Sequence, residues 1–74
     1  MKVMEAVREV MKTKSVRPAD LRRRLGIESN TMANRLSRQN ITIDKLNEML
    51  RVMDYKIVLM PSDARIGADA YEVE

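Results

Sequence analysis

The sequence contains neither cysteine nor histidine. Without cysteine there can be no disulfide and no thiolate zinc site. Without imidazole as well, a zinc or copper centre is not expected, nor is histidine-based acid–base or triad chemistry. Glycine occurs only twice, at Gly26 and Gly67, so no glycine-rich phosphate loop is present. These absences argue against an enzyme and against a resident cofactor. No apolar run approaches the roughly 20 residues that a membrane-spanning helix needs. The N-terminal MKVMEAVREV carries acids and an arginine where a signal peptide needs an apolar block. A cytoplasmic protein is therefore expected. With 74 residues the chain makes one domain at most. A domain of this size buries only about 60% of its unfolded surface, so oligomerisation is the remaining aid to stability.

The charge is divided unevenly. Residues 1–40 hold ten Lys/Arg against four Asp/Glu, net +6, whereas residues 41–74 hold four against seven, net −3. A small domain with one basic half points to a polyanionic partner, most often nucleic acid. The plain alternative is a solvated surface with an ordinary basic excess.

Hydrophobic periodicity organises the rest. Apolar residues at 3, 4, 7, 10 and 11 follow one helical face and predict a helix over residues 2–13. A second helix is predicted over 18–25. Pro18 suits its first position, Arg17 before the proline is pushed out of helical geometry, and Asp20 favours the helix dipole. Val16 and Leu21 occupy staple positions, and Gly26 is a left-handed stop. A third helix is predicted from Ser29 to Leu36 or Ser37, with Met32, Ala33 and Leu36 inward and Asn30, Thr31, Asn34 and Arg38 outward. A fourth is predicted from Ile43 to Met53, capped by Thr42, with Ile41 and Leu46 as its staple. Its buried stripe is Ile43, Leu46, Met49, Leu50 and Met53. Five of the seven methionines (4, 11, 32, 49 and 53) fall on these faces, which reads as core packing rather than an exposed partner groove.

After Asp54 the pattern changes. Tyr55–Met60 is β-rich and stops at Pro61, and residues 70–74 alternate apolar and acidic. Ser62 to Asp69 reads as a loop between them. A C-terminal hairpin, or two strands that pair across a dimer, is expected. Because the first strand is apolar on both sides, a second subunit is expected to cover it. The candidate dimer residues are Tyr55, Ile57, Val58, Leu59, Met60, Tyr71 and Val73.

Leu21, Leu25, Gly26, Ile27, Met32 and Leu36 share one spacing: a short helix, a glycine turn and a second short helix. Leu21 and Leu25 must meet Met32, Gly26 lets the chain turn, and Ile27 fills the space beneath. This segment resembles the helix-turn-helix of the Cro and phage-repressor family of transcription regulators, and the likeness covers roughly residues 2–54. Gly26 to Tyr55 is also similar to small regulators of bacteria and mobile elements that end in an apolar strand. The resemblance implies a mainly α, four-helix, lambda-repressor-like domain over residues 1–54; residues 55–74 follow as a β segment, a hairpin or dimerisation strands, which the apolar first strand marks as the expected dimerisation element. It also implies that the second motif helix enters a DNA major groove about 12 Å wide. Two residues depart from the family pattern. Arg22 stands where a small residue is usual. Either its aliphatic stem lies along the helix interface with the charge outside, or the helices cross differently. Glu28 stands where a small polar cap is usual, which suggests a helix start one residue later.

On this reading Ser29, Asn30, Thr31, Asn34 and Arg35 are the candidate base contacts. Asn pairs bidentately with adenine, and Arg with guanine. Lys14, Arg17, Arg22, Arg23, Arg38 and Gln39 are the candidate phosphate contacts. For the asparagines the alternative is simple exposure. For Arg35 and Arg38 it is a solvated flank, and for the arginine run it is complementing a helix C-terminus. The expected function is a repressor that binds double-stranded DNA as a homodimer at a pseudo-palindromic operator. The rival is a protein-interaction module or antitoxin whose C-terminal strands bind a protein partner. No metal or membrane partner is expected.

Overall fold

A computed structural model describes residues 1–63 and 70–74. The chain runs α1 (Val3–Thr13), α2 (Pro18–Leu25), α3 (Ser29–Ser37), α4 (Ile43–Arg51), β1 (Ile57–Leu59) and β2 (Tyr71–Val73). The expected mainly α, four-helix architecture with a C-terminal antiparallel pair is what these residues form. Most of the expected loop after Ser62, with Gly67, lies outside the described residues. No helix among the described residues is long and apolar enough to cross a membrane.

Three helices end in the same device. In a Schellman motif a residue in left-handed geometry follows the helix, and two N–H groups turn back onto its last carbonyls. After α1, Ser15 is left-handed at φ 54°, and Ser15 and Val16 donate to Lys12 and Met11 at 3.1 and 2.8 Å. After α2, Gly26 is left-handed at φ 68°, and Gly26 and Ile27 donate to Arg23 and Arg22 at 3.2 and 3.3 Å. After α4, Asp54 is left-handed at φ 62°, and Asp54 and Tyr55 donate to Arg51 and Leu50 at 3.1 and 2.9 Å. The last motif explains why α4 stops at Arg51 rather than at Met53: residues 52–54 are drawn into the turn. Helix α3 ends differently. Its carbonyls receive side chains, Arg8 Nη2 donating to Leu36 O at 2.8 Å and Ser37 Oγ to Asn34 O at 3.0 Å.

The helix starts are also specified locally. Thr42 Oγ1 accepts from the Lys45 N–H at 3.3 Å, as its N-cap position requires. At α2, the Asp20 carboxylate accepts from the Arg17 N–H at 3.0 Å. That is half of a capping box; a guanidinium has no acceptor with which to return the bond. Glu28 is itself the cap residue of α3, in extended geometry, and its carbonyl accepts from Met32 at 3.0 Å. The helix therefore begins at Ser29 and not one residue later.

The core consists of Met4, Val7, Met11, Val16, Leu21, Met32, Leu46, Met49 and Met53. All five methionines expected inside are there. The sequence has no Phe or Trp to fill volume, and flexible thioether side chains can conform to the irregular space between short helices. Two apolar residues stand outside the expected stripes. Ile43 is 54% exposed and Val3 is also exposed, although Met4, beside Val3 in the same first turn, is buried. Ala33, expected inward, faces solvent: the α3 core contact narrows to Met32, with Leu36 half-buried.

The strands pair within the chain, with Ile57 opposite Val73, Val58 opposite Glu72 and Leu59 opposite Tyr71. Their period of two puts Ile57, Val73, Leu59 and Tyr71 on one face. Only the Ile57–Val73 end of that face reaches the helices. The Leu59–Tyr71 end overhangs them, 64% and 71% exposed. Arg51 fastens β2 to α4: Nη2 meets Glu72 Oε1 at 2.8 Å and Val73 O at 3.3 Å, while Nε reaches Asn47 Oδ1 at 3.5 Å.

Candidate nucleic-acid interface

The presentation of α3 depends on the α2 turn. Leu21 is fully buried, Leu25 and Ile27 pack against the core, and Met32 anchors α3 from the other side. Arg22 follows the first of the two alternatives. It is half-buried, it lines the groove between α2 and α3 with Ala19, Ser29 and Ala33, and its Nη1 donates to Ile27 O at 3.4 Å. Its stem replaces the small residue and its charge closes the glycine turn.

With Met32 and Leu36 turned inward, a 100° step per residue puts Asn30, Asn34 and Ser37 on the opposite face of α3. All three are exposed, with Ser29, Thr31, Ala33 and Arg38 along the edges. The structure thus brings Asn30, Thr31 and Asn34 together on one open surface, while Ser29 stands exposed on the edge toward α2, in the groove with Arg22 and Ala33. Arg35 is different. Its side chain is only 12% exposed, and its Nη1 meets Glu48 Oε1 of α4 at 2.9 Å.

The side chains expected at phosphate are dispersed. Arg17 is open, 3.6 Å from Asp20. Arg23 donates to Ala19 O and Asp20 Oδ1 at 3.2 and 3.3 Å. Arg38 and Gln39 are exposed directly after α3. Lys14 lies 5.9 Å from the Tyr55 ring centroid, at the entry to the hairpin. Arg24, in the same basic run, donates to Val52 O at 3.2 Å and ties α2 to the end of α4. The Asp20 carboxyl is held below its ordinary value of 3.8, chiefly by the Arg17 N–H; desolvation opposes this, and the charges of Arg17 and then Arg23 add to the lowering.

Sequence reasoning missed a neighbouring feature. A depression at the C-terminal half of α3 is lined by Asn34, Arg35, Arg38, Asn40, Thr42 and Lys45. It exists because only residues 38–42 separate α3 from α4, so the first turn of α4 stands beside the last turn of α3. That short connection was the available signal for Asn40, Thr42 and Lys45. Ser37, the last residue of α3, also lies on the exposed face, although it was not among the expected contacts. Among the described residues no cluster of acidic side chains has the geometry to hold a metal ion.

A comparison with curated proteins finds no match, and a comparison with solved structures finds none. The family model described as the Cro/C1-type HTH DNA-binding domain matches residues 6–57, from within α1 to the first residue of β1. That span contains the two motif helices, the Gly26 turn and α4, well over half of the chain. On this match, and with the packing described, the chain belongs to the Cro/C1-type helix-turn-helix DNA-binding domain family.

Proposed function

We propose that this DNA-binding regulator is a transcriptional repressor that recognises a pseudo-palindromic duplex as a homodimer. The observation that carries the reading is the open face of α3, where Asn30 and Asn34 stand exposed beside Thr31, with Ser29 at the helix start. In this motif the second helix lies in the major groove, where its exposed side chains reach base edges. Asn34 then takes an adenine through N6 and N7, and Ser29 and Thr31 serve a base or the nearest phosphate. Arg17, at the start of α2, and Arg38 and Gln39, after α3, stand on either side of that face as phosphate contacts. Arg23 and Lys14 contribute more weakly, since Arg23 is held by both Ala19 O and Asp20 and is less exposed than Arg17, and Lys14 lies over the Tyr55 ring. Asn40 and Lys45 extend the polar surface.

In this proposal residues 1–54 read DNA and residues 55–74 join two copies. Its support is the overhanging apolar end of the hairpin, where Leu59, Met60, Pro61 and Tyr71 line a shallow depression. Exposed apolar surface of this kind marks an interface. A two-fold dimer would set two copies of α3 about 34 Å apart, one helical turn of DNA. The reaction class is binding, not catalysis, and the site of action is the cytoplasm. The same patch also favours a second reading, in which it holds a protein partner as an antitoxin does.

Selection from a random duplex library tests the proposal. The expected product is a recurring pseudo-palindrome with half-sites about ten base pairs apart. Asn34→Ala should then weaken binding by about 1–3 kcal/mol and relax one position of the motif. A folded protein that enriches no motif would overturn sequence-specific binding. Sedimentation showing only monomer at micromolar concentration would overturn the dimer.

A further inference from the structure

Arg35 lies on the flank of α3 toward α4, and its guanidinium is turned into the body. Its side chain is 12% exposed, Nη1 is 2.9 Å from Glu48 Oε1, and Nε is buried without a hydrogen-bond partner among the described residues. A buried, unsatisfied N–H is a cost that a freely rotating surface arginine would avoid by turning outward. Something therefore holds it, and the only acid in contact with it among the described residues is Glu48. Helix α4 supplies that acid from 13 residues away in the chain. Arg35 also lines the depression that contains Arg38 and Lys45, so a released guanidinium would join an existing group of cations.

We infer that Glu48 is a specificity-determining positioning residue: it withholds Arg35 from phosphate and keeps that side chain as a strut between α3 and α4. The inference rests on the proposed DNA-binding reading. The physical consequence concerns selectivity. A cation that contacts phosphate strengthens binding to every sequence alike, through counterion release. A cation neutralised by an intramolecular carboxylate contributes nothing to that sequence-independent attraction. In a domain with ten Lys/Arg in its first 40 residues, removing one from the non-specific balance raises the relative weight of Asn30 and Asn34. Glu48 is itself half-exposed, so its own charge also faces an approaching phosphate and adds repulsion if Arg35 leaves.

The test is a salt titration of binding to a random-sequence duplex, comparing the wild type with Glu48→Gln, Arg35→Gln and the double variant. Melting curves establish that each is folded. Each additional phosphate contact steepens the plot of log affinity against log salt by about 0.9. Glu48→Gln is therefore expected to tighten non-specific binding. Its advantage over the wild type should shrink about 3.5-fold between 50 and 200 mM salt. Arg35→Gln alone frees the Glu48 carboxylate and should not steepen the slope, and in the double variant the slope should return to that of the wild type. A wild-type slope in Glu48→Gln, or a steeper slope in Arg35→Gln alone, overturns the inference while leaving DNA binding intact. A gain that persists in the double variant also overturns it, because loss of the Glu48 charge alone would then be the cause. Absence of duplex binding by every variant, the wild type included, overturns both readings.

Discussion

Ser15→Gly should stabilise the protein, and Gly26→Ala should destabilise it, although both positions are exposed and neither substitution removes a core contact. Both residues close Schellman motifs in left-handed geometry, Ser15 at φ 54° and Gly26 at φ 68°. A side chain in that region costs about 1–2 kcal/mol through the clash of Cβ with the following carbonyl. Glycine avoids this cost but gives back about 0.4–1 kcal/mol through the greater freedom of its unfolded chain. The difference is about 0.5–1 kcal/mol in favour of glycine at either site. A Cβ on Gly26 would meet no atom within 4 Å, so backbone strain alone sets its sign and no collision is added. For a domain of this length 1 kcal/mol corresponds to about 4–8 °C in melting temperature. Ser15→Gly should then melt about 2–8 °C higher, and Gly26→Ala lower by a similar amount. Asp54→Gly should follow Ser15→Gly with a smaller gain, since aspartate tolerates the left-handed region better than most residues. Circular dichroism melts at fixed protein concentration measure all three; the concentration must match because self-association shifts the midpoint. A lower midpoint for Ser15→Gly, or an unchanged one for Gly26→Ala, would refute the assignment of strain to these turns.

Further expectations concern the caps, the hairpin and pH. Thr42→Ala removes the bond to the Lys45 N–H and should cost about 1 kcal/mol in urea unfolding. Arg51→Ala removes the contacts to Glu72 and Val73, so amide exchange should accelerate at Ile57–Leu59 while the α2 and α3 amides keep their protection. Because the Asp20 carboxyl is depressed in the folded state, its stabilising effect is present above its unfolded value, ordinarily 3.8, and is lost as pH falls through the folded value. The wild type and Asp20→Ala should therefore differ in stability at neutral pH and converge at low pH; parallel curves down to acid would count against the cap. Tyr71→Lys together with Leu59→Lys should shift sedimentation toward monomer if the overhanging hairpin end joins two copies, and leave it unchanged if another surface does.

The sequence alone was enough to place the helices, since periodicity, capping and turn chemistry are properties of neighbouring residues. Leu21, Met32, Met49 and their partners announce their burial by spacing, and Gly26 announces the turn by having no Cβ. The family likeness followed from the same local features. The fate of the charged side chains was not local. Arg8, Arg24, Arg35 and Arg51 take their partners at separations of 28, 28, 13 and 22 residues, and nothing in the intervening sequence specifies the distance between those elements. Packing also decided that Ala33 and Ile43 stay in solvent, that Arg22 lies along the α2–α3 groove, and that the strands pair within one chain with their outer end unsupported. Local sequence specifies which face of each helix is apolar. Only the packing of those faces on one another sets where the remaining side chains end, and so which arginines remain open to DNA and which is held by Glu48.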